Sequence, residues 1–311
     1  MMRLTPALLL AVSVFATQGH AQPQPIDQQR FASQKQQALL PNGTTLAYYE
    51  AGDPKGPALV LLHGFTDNAR SWSLTLPYLD ARYRIIAVDL RGHGRSSAPE
   101  CCYALNDMAY DIRLLLDRLG IAKASLVGHS LGSILAQTLA EQYPERVDKV
   151  VLVSSTGSTT ELSQEGSWLA TQIAALKAPI DPDSPFMREW YANPLPVDAD
   201  FIARERVESA AVPLQVWRGV LHALQVTEFG RDLPKLKAPV LILHGSQDSL
   251  FDANAQTALR QALPQARFHA FADAGHNLAW EHPQAAAEQI NAFLASTAEE
   301  TARVSPGATS R

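Results

Sequence analysis

Ala124-Ser125-Leu126-Val127-Gly128-His129-Ser130-Leu131-Gly132-Ser133 is the stretch whose reading decides the fold of this chain. Residues that can fill a buried strand run into Gly-x-Ser-x-Gly, and Leu131, Ile134, Leu135 and Leu139 follow at helical spacing. The pattern is strand, sharp turn, helix. A serine on such a turn takes a strained backbone conformation, and only glycine-sized neighbours at Gly128 and Gly132 let strand and helix come close enough to hold it. Its hydroxyl then stands at a helix N-terminus, where free N–H groups and the helix dipole favour a developing oxyanion. Ser130 is therefore read as a nucleophile, the alternative being a glycine-rich turn with an incidental serine.

On the N-terminal side, Ala58-Leu59-Val60-Leu61-Leu62 is a continuous apolar run of the kind a strand buried on both faces requires, and it ends in His63-Gly64-Phe65-Thr66-Asp67. A hairpin signal precedes it: Gln37–Leu40 and Thr44–Glu50 are joined by Pro41-Asn42-Gly43. A helical segment is expected around Trp72–Leu79, then a buried strand over Tyr83–Leu90 that runs into Asp89–Ser96, where Asp89, Gly92 and Gly94 read as turn residues. Asn106 is positioned to cap a helix carrying Met108, Ile112, Leu115, Leu116 and Leu119 on one face and stopping at Gly120. On the C-terminal side come strands at Lys149–Val153 and Pro239–Leu243, the latter leading into His244-Gly245-Ser246-Gln247-Asp248. A helix over Asp252–Leu263, a last strand over Ala266–Phe271 ahead of Gly275-His276, and a closing helix over Pro283–Leu294 complete the pattern. Such alternation calls for an α/β fold, a mostly parallel sheet with helices on both faces. It is interrupted at 156–231, where no buried strand is readable and helical stretches with Trp168, Trp190, Tyr191, Phe201 and Trp217 recur among prolines. That length exceeds a loop, so it reads as a helical cap inserted between core segments 35–155 and 232–295.

The chain has 311 residues, 46% of them hydrophobic, enough to bury a sizeable core. Its net charge of −5 comes without any polybasic run, which excludes the electrostatic footprint of a nucleic-acid binder. Residues 1–21 carry one basic residue, Arg3, then an apolar run from Ala7 to Ala16, then Gly19-His20-Ala21. This is the order of a secretory signal cleaved near Ala21, with an apolar run too short to span a bilayer, so the protein is expected to be periplasmic or secreted without a stable membrane anchor. Polar residues 22–34 with Pro23 and Pro25 read as an exposed linker, and 296–311 as a disordered tail. The adjacent Cys101 and Cys102 are read first as a vicinal disulfide stiffening one loop, with two buried thiols as the alternative; no metal site is expected of them. Nothing in the sequence sets an oligomeric state.

A serine hydroxyl is a poor nucleophile at neutral pH and needs a base, itself oriented by a third group. Ser130, Asp248 and His276 follow predicted strands in that order, and in an open parallel sheet the carboxyl ends of the strands line one crevice. His276 is the candidate base and Asp248 its orienting acid. Asp252 competes for the acid role but suits a helix N-cap better. His63, His93, His129 and His244 read as turn or supporting residues near the crevice.

These segments, in this order from about Thr44 to Leu294, resemble the α/β-hydrolase-fold superfamily, and specifically its serine-nucleophile esterases and lipases with a helical cap. The resemblance implies an oxyanion hole made by the backbone N–H groups of Phe65 and Leu131, a lid formed by 156–231, and no cofactor or metal. A serine nucleophile points to acyl transfer to water, hence a carboxylic ester or lactone as small-molecule substrate. Carbon–carbon bond hydrolysis and cofactor-free perhydrolysis share the same motifs, and a non-catalytic binding scaffold is the remote alternative. Trp190, Tyr191 and Trp217 are candidates for the pocket wall, and the cap is expected to set substrate choice while contributing little to the chemical step.

Overall fold

The computed structural model describes residues 24–160 and 164–297; the expected signal sequence and nearly all of the expected tail lie outside them. The predicted strands form one sheet: β1 (Gln36–Leu39), β2 (Thr45–Gly52), β3 (Ala58–Leu62), β4 (Arg84–Val88), β5 (Ala124–His129), β6 (Val147–Val153), β7 (Val240–Gly245) and β8 (Arg267–Phe271). Their spatial order is β1-β2-β4-β3-β5-β6-β7-β8. A short connection through Gly43, at φ +84°, lets β1 and β2 pair antiparallel, and β2 also meets β4 antiparallel. From β4 to β8 every pairing is parallel, with the connections covering the sheet faces.

The helices described are α1 (Leu105–Arg118), α2 (Leu131–Gln142), α3 (Trp168–Ala175), α4 (Pro185–Trp190), α5 (Ala199–Ala210), α6 (Leu214–Val226), α7 (Ala253–Ala262), α8 (Leu278–Glu281) and α9 (Pro283–Ala295). Successive strand side chains point to opposite faces, so the core divides in two. Val60, Leu62, Ile86, Leu126, Val150 and Ile242 pack with α1 and α2, while Leu59, Leu61, Ile85, Val127, Val151 and Leu243 pack with Trp72 and α9. Helices α3 to α6 lie between β6 and β7 in sequence, and Trp217, Phe201 and Met187 from them join the first of these clusters.

Local expectations fail in three places for identifiable reasons. Trp72–Leu79 is not one helix but two 3-10 turns, Ala69–Trp72 and Leu76–Tyr78, because Pro77 has no N–H to continue a helical ladder. Asn106 does not cap α1, which begins one residue earlier after Ala104; its side chain instead accepts a hydrogen bond from Gln142 Nε2 at 2.7 Å. The described part of 22–34 is not a free linker: Phe31 is fully buried and stacks on Tyr49 at 4.6 Å, and Arg70 donates to the Gln28 carbonyl at 2.7 Å. One buried phenyl ring contributes about 1.5–3 kcal/mol toward holding this polar segment against the core. Cys101 and Cys102 form a vicinal disulfide on an exposed loop, not a pair of buried thiols, and Arg91 Nη1 donates to the Cys102 carbonyl at 2.7 Å.

Lys35, at the entrance to β1, ties this segment to the turn after β4. Its ammonium lies 2.8 Å from Asp89 Oδ1, and the two side chains are 2% and 0% exposed. Asp89 also accepts from the N–H groups of Ala69 and Arg95, so the turn is built around one buried carboxylate. Lys35→Met leaves that charge uncompensated and is expected to lower the unfolding free energy by about 3–5 kcal/mol in urea titrations. A loss under about 1 kcal/mol would show that the pair holds nothing in place.

Candidate active site

Ser130 follows β5 directly and has φ +50° and ψ −118°, a conformation that costs on the order of 1–3 kcal/mol. The surrounding backbone enforces it. Ser130 N–H donates to the Val153 carbonyl at 3.0 Å, and its own carbonyl accepts from Ser133 and Ile134 as α2 begins. A Cβ at Gly128 would strike the Gly132 carbonyl, and one at Gly132 would strike the Leu62 carbonyl, so both glycines are required by close approach. Because Leu131 is the first residue of α2, its N–H has no partner within the helix.

The cavity above the carboxyl ends of the parallel strands measures about 1040 Å³ and is lined by Phe65, Ser130 and His276 among others. His276 Nδ1 donates to Asp248 Oδ2 at 2.9 Å, which leaves Nε2 as the basic nitrogen of the neutral ring. Asp248 Oδ1 accepts from the N–H groups of Leu250 and Phe251 at 2.9 and 3.0 Å. Burial alone would push the Asp248 carboxyl upward, but His276 and these two N–H groups outweigh it and hold it below the usual carboxylate range. Asp252, the competitor, is exposed and caps α7, accepting from Asn254 and Ala255. Ser130 Oγ and His276 Nε2 share the cavity without a hydrogen bond between them, a separation that closes in many enzymes when substrate binds.

Two of the other histidines, His63 and His129, have structural partners. His63 Nε2 accepts from Leu90 N–H at 2.9 Å while Nδ1 donates to the Gly64 carbonyl, and burial pushes its pKa well below the usual histidine range. His129 donates through Nε2 to the His276 carbonyl at 3.0 Å; burial, with His276 beside it, lowers its pKa to about 3. His129 therefore supports the loop that carries His276. Among the described residues, no group of three or more His, Cys, Asp or Glu side chains is placed to hold a metal ion, and no helix is long and apolar enough to cross a membrane.

A sequence profile of the alpha/beta hydrolase fold matches residues 57–283. The chain belongs to the α/β-hydrolase family. Hydrolases are among its relatives, and the protein is a hydrolytic enzyme. This α/β-hydrolase is 32% identical over 280 residues to the 2-hydroxy-6-oxononadienedioate/2-hydroxy-6-oxononatrienedioate hydrolase of Paraburkholderia phymatum, spanning 85% of this chain and 94% of that protein. A hydrolase from Pseudomonas aeruginosa PA01 superposes with a TM-score of 0.76 at 26% identity, over 84% of this chain and 98% of the other. An esterase from Rhodococcus sp. ECU1013 superposes with a TM-score of 0.67 at 25% identity, over 85% and 99%.

The inserted helices of this α/β-hydrolase touch the loop that carries Phe65 more closely than the sequence implies. Trp190 Nε1 donates to Thr66 Oγ1 at 3.1 Å, and Tyr191 Oη donates to Asp67 Oδ1 at 2.9 Å. Trp190 and Tyr191 do line the cavity, but Trp217 does not: it is fully buried behind Phe65, its ring edge-on at 5.4 Å. Two aromatics of the insertion thus anchor that loop. Asp67 is the cavity residue that the sequence reading passed over. It stands in the quoted His63–Asp67 segment, but its partner Tyr191 is 124 positions away, and no local pattern joins them.

Burial raises the Asp67 pKa to about 7 against the opposing pull of the Tyr191 hydrogen bond. The unfolded chain ionises this group near the ordinary value of 3.8, whereas the folded protein keeps it protonated. Stability therefore falls as pH rises from about 4 to about 7 and levels off above. Measured against Asp67→Asn, which retains an acceptor for Tyr191, the wild type is expected to lose on the order of a few kcal/mol across that window. A difference that stays flat with pH would show that Asp67 ionises normally.

Proposed function

We propose that this enzyme is an exported serine hydrolase that cleaves a carboxylic ester, lactones included, through an acyl-enzyme. The observation that carries the reading is the strained turn at Ser130 sharing one cavity with the His276–Asp248 pair. His276 Nε2 takes the proton of Ser130 Oγ as that oxygen attacks the acyl carbon, and Asp248 steadies the imidazolium that forms. The N–H groups of Phe65 and Leu131 receive the developing oxyanion. His276 then returns the proton to the departing alcohol, and water, activated the same way, releases the acid. Export is supported by the signal-like sequence of residues 1–21 and by the exposed Cys101–Cys102 disulfide, which an oxidising compartment preserves.

Kinship with the P. phymatum hydrolase favours a second reading, carbon–carbon bond cleavage by the same residues. A panel of p-nitrophenyl esters, aryl lactones and vinylogous diketones separates the two. Ester turnover is expected to exceed diketone cleavage, and Ser130→Ala to lower kcat by on the order of 10⁴ or more. Asp248→Asn is expected to cost about 10²–10⁴ in kcat, whereas Asp252→Asn leaves it near wild type. Faster cleavage of the diketones would replace the ester reading, and a larger loss from Asp252→Asn would move the acid. N-terminal sequencing of protein recovered from the periplasm or medium is expected to begin at Gln22; an intact Met1 would contradict export.

A further inference from the structure

We infer that the active site takes an uncharged acyl ester and turns away substrates that carry a carboxylate. This deepens the ester reading by naming the substrate class, and it rests on the charges that surround the cavity.

Among the described residues, no lysine or arginine lines the cavity. Glu161, Leu162 and Ser163, which lie between the described stretches, add no cation by sequence. The titratable side chains that do line it are Asp67, His129, Glu189, Tyr191, Asp252 and His276. Two of these, Glu189 and Asp252, are exposed acids, and Asp248 lies behind His276, so fixed negative charge stands at the rim and beside the reacting centre. His129 offers no compensation, because burial keeps its ring neutral. The polar groups left are hydroxyls and amides, such as Thr156, Ser158, Asn254 and Asn277, set among Trp168, Trp190 and Trp280.

Such a lining satisfies the carbonyl and ether oxygens of a neutral ester. A carboxylate entering it gives up its hydration without gaining a cation and meets charges of its own sign. The overall charge of −5 works in the same direction during approach. The P. phymatum relative is named for a dioate substrate, so its kinship does not extend to substrate charge under this inference.

The test compares two p-nitrophenyl esters that differ at the far end of the acyl chain: 5-oxohexanoate, which ends in a methyl ketone, and glutarate, which ends in a free carboxylate of nearly the same shape. The kcat/KM of the wild type is expected to favour the ketone by on the order of 10–10²-fold, and Glu189→Gln is expected to narrow that ratio. Equal or faster release of p-nitrophenol from the glutarate ester overturns the inference. Calorimetric binding of the same two esters to Ser130→Ala gives the second arm, which does not depend on turnover. Tighter binding of the ketone ester supports charge selection even if the wild type hydrolyses neither ester, a result that would fail the ester reading alone. A ketone ester that binds no tighter than the glutarate ester overturns the inference.

Discussion

The geometry of the candidate active site depends on how closely two backbones approach at Gly128 and Gly132. A side chain at Gly132 would meet the Leu62 carbonyl of β3, and one at Gly128 would meet α2 at Gly132 itself, so β3, β5 and α2 are locked together at their closest contacts. That packing holds Ser130 at φ +50°, raises its side chain off the sheet edge, and leaves the first N–H of α2 unpaired beside it. The flanking strands have no freedom to relieve the strain, since every residue of β3 and β5 is buried. The strain is thus held between fully buried strands, which is where it has to be to persist.

The second organising feature is polar. The loop after β3 is held from two sides, by the core through Leu90 N–H on His63 Nε2 and by the inserted helices through Trp190 on Thr66 and Tyr191 on Asp67. Next along the chain, Asn68 Nδ2 donates to Glu208 of α5 at 2.7 Å, and Arg70 makes a fork of hydrogen bonds to the same carboxylate. A paired guanidinium and carboxylate fix direction as well as distance. The insertion is thereby registered on the core by directional bonds, and the position of the Phe65 N–H is tied to the position of α4 and α5. Movement of those helices would change the shape of the cavity and the aim of that N–H together.

The buried central strands and the meeting of Ser130, Asp248 and His276 are legible in the sequence because each of the three residues follows a predicted strand, with glycine marking the turn. Those signals are local, and topology alone brings the three strand ends to one edge. The vicinal cystine is legible for a similar reason, adjacency. What escapes is whatever depends on distant partners. Asp67 looks like an ordinary turn residue until Tyr191 reaches it, and Phe31 looks like one phenylalanine in a polar leader until Tyr49 receives it. Trp217 shows the limit of periodicity: its place on an apolar helical face says that it is buried, but not that it backs Phe65 instead of facing the substrate. Asn106 shows the same limit at a helix end, where Gln142 of another helix claims the side chain that local rules assign to capping.

The central claim is that Ser130 is the nucleophile, activated by its neighbours. Peptide mapping after reaction with a fluorophosphonate tests it most directly, because such reagents bond covalently only to an activated hydroxyl. The account predicts one label per chain, on the peptide that contains Ser130. A label on a different residue, or an enzyme that stays active and unlabelled, would contradict it.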